Sequence, residues 1–182
     1  MEGFEVGQQI VYPNHGIGIV EGIEDKQIGT NALSFYMLRL AESNSMVMVP
    51  VANAMAVGLR SPISANQCEM LFARLADDFE PLESDWKGRF KDFSDRMRTG
   101  DIFSIASVLK CLTFLGQVKA LSFREQRMFE KARYLVVSEL AAVCQKEECH
   151  IQERVQTALV LACAAHHASL AETNAQTMAN VH

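Results

Sequence analysis

A chain of 182 residues, 49% apolar and 21% charged, has the balance of a folded globular protein. No run of about 18 apolar residues exists to cross a membrane. A formal net charge of −5 argues against a generic polyanion binder, and its uneven distribution leaves room for one local basic stripe. Residues 1–70 carry 3 basic and 7 acidic side chains, 71–144 carry 12 and 11, and 145–182 carry 2 and 4. The start, Met1-Glu2-Gly3-Phe4-Glu5, has neither the basic nor the apolar region of a secretory leader. Five cysteines (68, 111, 144, 149, 163), mostly in apolar helical contexts, point to reduced thiols and a cytoplasmic location.

Residues 4–60 are expected to be β. Short apolar runs at Gln9–Tyr12, Ile17–Ile23, Leu33–Leu40, Met46–Val49 and Met55–Leu59 alternate with turn chemistry at Pro13-Asn14-His15-Gly16, Gly29-Thr30-Asn31 and Ser43-Asn44. Short strands at this spacing imply a small barrel or a tightly bent sheet. Gly16, Gly18 and Gly22 suit a bending strand; their spacing is not that of a phosphate-binding loop.

After Ser61-Pro62 the period becomes helical. Ser64 and Gln67 form a capping box before Cys68, Leu71, Phe72 and Leu75. An acidic loop over 77–84 follows, and Ser84 or Asp85 can cap a helix starting at Trp86 and ending at Thr99-Gly100. Asp101 can cap the next helix, with Ile102, Ile105, Ala106, Leu109 and Leu112 inward and Gly116 closing it. Ser122 and Glu125 form a second capping box, opening a helix through about Val143. A last helix is expected from about Ile151 to His167, and 168–182 lacks periodicity and reads as an irregular tail. The fold class is therefore α+β by domain: a β domain over 1–60, a compact all-helical domain over 61–167, and a tail.

Trp86 is the sole tryptophan and heads a run with five cations against two carboxylates. At 100° per residue, Trp86, Phe90, Phe93 and Met97 share one stripe, flanked by Arg89 and Arg96 on one side and by Lys87, Lys91 and Arg98 on the other. Two readings stand. The stripe is core with a solvated cationic rim, or Trp86, at the helix end, protrudes as a wedge into DNA between phosphate-holding cations. A second basic set, Lys119, Arg124, Arg127, Lys131 and Arg133, lies along the long helix, with Arg124, Arg127 and Lys131 on one face. Two basic helices in one small domain allow a composite patch. Cys144, Cys149 and His150, followed by His166-His167, are too widely spaced for an ordinary zinc site. No nucleophile elbow or oxyanion site accompanies a Cys/His pair, and His15 in its turn fits a local hydrogen-bonding role. No metal, cofactor, small-molecule substrate or enzymatic activity is expected.

Val6-Gly7-x-x-Ile10-Val11-Tyr12-Pro13-x-His15-Gly16, Val47-Met48-Val49-Pro50, Val57-Gly58-Leu59-Arg60, the Trp86 helix, Thr99-Gly100 and Leu121-Ser122-x-x-Glu125-x-Arg127-Met128-x-x-Lys131-Ala132-Arg133 together resemble the CarD/CdnL family of bacterial RNA-polymerase-binding transcription regulators, over residues 4 to about 167. The resemblance implies an N-terminal Tudor/SH3-like β-barrel similar to the polymerase-interacting domain of transcription-repair coupling factors, binding the polymerase β subunit through Lys26, Ile28, Met48 and Pro50. It implies a helical domain that contacts promoter DNA at the upstream edge of the transcription bubble through Trp86, Arg89, Lys91 and Lys131, stabilising the open complex. Lys87, Arg96 and Arg127 join the candidate DNA contacts by position. Gly88 departs from the family, which often has arginine there, and costs about 1 kcal/mol of helix propensity against alanine. A polymerase-binding adaptor without the DNA wedge is the alternative.

Overall fold

A computed structural model describes residues 3–28, 31–77, 79 and 86–179; the side chains of Ile28, Asn31, Trp86, Lys87 and 170–179 lie outside the description. Four antiparallel strands in the order β1 (Gln9–Tyr12), β2 (Gly16–Ile28), β3 (Asn31–Leu40) and β4 (Met46–Pro50) curl into a half-barrel. Its inner face buries Ile10, Val20, Tyr36, Leu38, Val49 and Leu59. The Pro13–Gly16 turn closes β1 onto β2 with Tyr12 opposite Gly16. It places Asn14 (φ 63°) and Gly16 (φ 78°) in the left-handed region, which these two residue types tolerate best.

Two β expectations need correction. β2 runs on to Ile28 instead of stopping at Ile23, because Glu24–Gln27 pair with Ala32–Phe35. Backbone pairing in an exposed hairpin does not require apolar side chains, so composition hides this extension. Met55–Leu59 is not a strand. The chain passes through a 3-10 turn at Val51–Asn53 and then makes local bonds, Val57 N–H to Asn53 O at 2.9 Å and Leu59 N–H to Ala54 O at 3.0 Å. Only Arg60 returns to the sheet, exchanging backbone bonds of 2.7 and 3.2 Å with Val11.

Among the described residues five helices follow: α1 (Ala65–Ala76), α2 (Trp86–Thr99), α3 (Ile102–Val118), α4 (Phe123–Cys144) and α5 (Glu148–Ala179). Their starts obey the local signals. Both capping boxes form, Ser64 with Gln67 and Ser122 with Glu125, and the Asp101 carboxylate accepts from Ser104 N–H at 2.9 Å. The proposed cap of α2, Ser84 or Asp85, lies outside the described residues. α5 continues to Ala179, past the end expected near His167. Alanine recurs through 168–179, and its high intrinsic helix propensity needs no apolar stripe, which is why periodicity did not reveal the extension. The helical core gathers Leu71 and Leu75 of α1, Phe93 and Met97 of α2, Leu109 and Leu112 of α3, Val136 and Leu140 of α4, and Ile151 and Leu159 of α5. Lys110, also buried, donates to Arg74 O at 2.8 Å and Asp77 O at 3.1 Å, closing the C-terminal end of α1.

The domains meet along α4. A Cβ at Gly16 would stand 3.1 Å from Tyr134 Cε1 and one at Gly100 2.9 Å from Pro13 Cγ, so both close approaches need glycine. The Arg60 guanidinium grips Glu139, Nη1 to Oε1 at 2.6 Å and Nη2 to Oε2 at 2.8 Å. It also donates to Gly100 O at 2.9 and 3.2 Å. Ile63 N–H supplies Glu139 with a further bond at 3.0 Å. Two turns earlier on α4, Lys131 Nζ reaches Glu42 of the β domain at 2.8 and 2.9 Å.

Candidate macromolecular interfaces

Directly paired residues of an antiparallel sheet share a face. Met37 pairs with Met48, Phe35 with Pro50 and with Glu24, and Lys26 with Leu33. Lys26, Met48 and Pro50 therefore lie on the outer face of the half-barrel, and Lys26 Nζ comes within 2.9 Å of Met48 Sδ. Ile28 ends β2, with its side chain outside the description. The same face exposes Ile19, Leu33, Met46 and Met48, and the Arg39–Glu21 pair borders it at 2.9 and 3.1 Å. That bidentate contact, chiefly its hydrogen bonds, holds the Glu21 carboxyl below the usual range and raises the Arg39 guanidinium. An apolar patch with a charged border is the usual look of a protein-binding surface.

The second set of candidate residues lies on α2 and on the first turns of α4. Phe93 and Met97 are buried and Phe90 half-buried, as the stripe requires. Trp86 and Lys87 open α2, with their side chains outside the description. Arg89 differs from the sequence expectation of a rim cation: it is only 8% exposed. The Glu125 carboxyl at the start of α4 is held below its ordinary value, with the Arg89 charge among the smaller causes. The Ser122 hydroxyl is the main cause of that lowering, Lys119 assists, and burial opposes. Lys91 is exposed. Arg96 pairs with Asp92 at 2.9 Å one turn back. Arg127 is exposed, its guanidinium 5.8 Å from the Phe123 ring centroid. Lys131 is tied to Glu42 and lies 5.3 Å from the Tyr134 ring centroid.

Two residues escaped sequence reasoning. Phe123, the first residue of α4, is 76% exposed beside the exposed Arg124. Its position off the apolar stripe was a signal available in the periodicity. Glu42 had none, since its partner is 89 residues away. The zinc-like residues disperse: Cys144 Sγ lies 3.0 Å from Cys68 Sγ, whereas Cys149 Sγ donates to Glu147 Oε2 at 3.6 Å. Among the described residues no group of three His, Cys, Asp or Glu side chains is placed to hold a metal ion, and no helix is long and apolar enough to cross a membrane. The His15 ring packs on Tyr12, centroids 4.8 Å apart.

Residues 4–62 match the CarD-like/TRCF RID domain family, and residues 70–156 match the CarD C-terminal domain family. The chain is 33% identical over 144 residues to YdeB of Bacillus subtilis (strain 168), whose name proposes a transcription factor. The match covers 77% of this chain and 92% of that protein. A polymerase-interacting half-barrel and a CarD-type helical domain, in that order and joined at Arg60, make this chain a member of the CarD/CdnL family of RNA-polymerase-binding transcription regulators.

Proposed function

We propose that this protein binds the RNA polymerase β subunit through the outer face of its half-barrel and contacts promoter DNA at the upstream edge of the bubble through the start of α2 and of α4, prolonging the life of the open complex. The observation that supports the reading is the set of exposed basic side chains on two helices, Lys91 on α2 and Arg124 and Arg127 in the first turns of α4, within a domain of the CarD C-terminal type. Among the described residues Lys91 and Arg127 are the exposed cations of the expected set, whereas Arg89 is buried. Lys26, Ile28, Met48 and Pro50 form the β-subunit contact. Tethering to polymerase raises the effective concentration of the helical domain at the DNA. A Trp86 wedge costs less where strands have already parted, and that difference in cost shifts the equilibrium toward the open state.

The adaptor reading draws on Arg89 burial and on the carboxylate partners of Arg96 and Lys131. Trp86→Ala separates the two. As a wedge, the variant keeps its melting temperature and its β-subunit binding and shortens open-complex lifetime; Trp86→Phe restores part of that lifetime. As an adaptor, lifetime is unchanged. If Trp86 is core, the variant loses about 3–5 kcal/mol of stability first, and the wedge is wrong. Met48→Arg should weaken β-subunit binding while leaving affinity for fork DNA intact.

A further inference from the structure

We infer that Cys68 and Cys144 are a disulfide-forming thiol pair, a modification site that ties α1 to the last residue of α4. Their sulfurs stand 3.0 Å apart although 76 positions separate them in the chain. Closing that gap to the roughly 2.05 Å of a disulfide asks for about 1 Å of side-chain movement. Cys149, by contrast, is exposed with its thiol on Glu147.

The two thiols have different parts. Cys68 is 2% exposed, and burial above all, with the Cys144 hydrogen bond adding, pushes its thiol up to about 12. It is a poor first nucleophile. Cys144 is half-buried at a helix end and is the sulfur an oxidant reaches. The oxidant class is a hydroperoxide. The Cys144 thiolate attacks one peroxide oxygen; an S–O bond forms, the O–O bond breaks, and the departing hydroxide takes up the thiol's proton as water. Cys68 then attacks the Cys144 sulfur; the S–S bond forms, the S–O bond breaks, and hydroxide leaves with the Cys68 proton as a second water. The sulfurs together give up two electrons and the peroxide accepts them. Proximity offsets the low thiolate fraction of Cys68, since the reacting atoms already lie within attack distance. A thiol reductant reverses the linkage by exchange.

The test uses the full chain, treated with stoichiometric hydrogen peroxide, alkylated under denaturing conditions and digested. The expected product is monomer in which the Cys68 and Cys144 peptides are joined, with alkylatable thiols falling from five to three, reversed by dithiothreitol. The joined peptide persists in Cys149→Ser and disappears in Cys144→Ser. Oxidation should also raise the melting temperature, because the bond closes a long loop in the unfolded chain. The proposal is overturned if Cys68 stays alkylatable while Cys144 proceeds to sulfinic acid, or if the main product is a Cys149-linked dimer. The measurement on the unaltered protein is decisive even if a serine variant fails to fold.

Discussion

Two bidentate ion pairs join the domains through α4, eight residues and about 12 Å apart along its axis. They differ in how much water each keeps. In the Arg60–Glu139 pair the carboxylate is 2% exposed and the guanidinium 29%; in the Lys131–Glu42 pair the side chains are 32% and 39% exposed. Glu139 has surrendered its hydration and is held by Arg60 and by Ile63 N–H, so its partners cannot leave cheaply. Lys131 is a flexible ammonium near the surface, for which water or a phosphate can substitute for Glu42. Similar contacts between the same domains thus do different work: one is a latch, the other an exchangeable tie.

The comparison breaks most directly at Arg60. Arg60→Ala strands a buried carboxylate and should cost about 3–5 kcal/mol in urea unfolding. Arg60→Lys should recover part of this, since an ammonium cannot reach both carboxylate oxygens and Gly100 O in one geometry. A loss below about 1 kcal/mol would mean that the latch is not structural.

An intermediate effect is expected at the α4 capping box, which gives a reference inside one domain. Ser122→Ala should cost about 1 kcal/mol and should also let the Glu125 pKa rise. Because the Glu125 carboxyl is lowered in the folded state, its contribution is present above the ordinary carboxylate value and is lost as pH falls through the folded value. The gap in unfolding free energy between Ser122→Ala and the parent should therefore narrow on acidification. A gap that widens with falling pH would contradict the assignment.

The smallest stability effect belongs to Glu42. Glu42→Gln should change unfolding free energy by less than about 1 kcal/mol, and salt should erase the difference. With Glu42 neutral, Lys131 is released, so affinity for fork DNA should rise and the log–log salt slope, expected at roughly −3 to −4 for the parent, should steepen by about one. Unchanged affinity and slope would remove Lys131 from the DNA contacts without touching the latch.

What could be read from the sequence followed the range of the signal. The helix starts at Ser64, Asp101 and Ser122 depend on partners three residues on, and each was legible. So was the inward stripe Phe93–Met97, which depends only on helical period. Met55–Leu59 misled because an apolar run reads as a strand, whereas here Met55 and Val57 are exposed in a turn and Leu59 alone of the run is buried. The extent of α5 was hidden because alanine sustains a helix without a buried face.

At the candidate site the limit has the same cause. Which cations exist, and that they lie on two helices, is written in the sequence through composition and period. Which of them face solvent is not. Arg89 is buried in the folded helical domain, and Lys131 is tied down because the β domain brings Glu42 across 89 residues. By itself the sequence determined the two-domain order, the caps at Ser64, Asp101 and Ser122, and the pool of candidate residues, since these rest on neighbours along the chain. Only tertiary structure decided the latch, the exchangeable tie and the thiol pair, because burial and charge pairing depend on what distant segments place within a few ångströms.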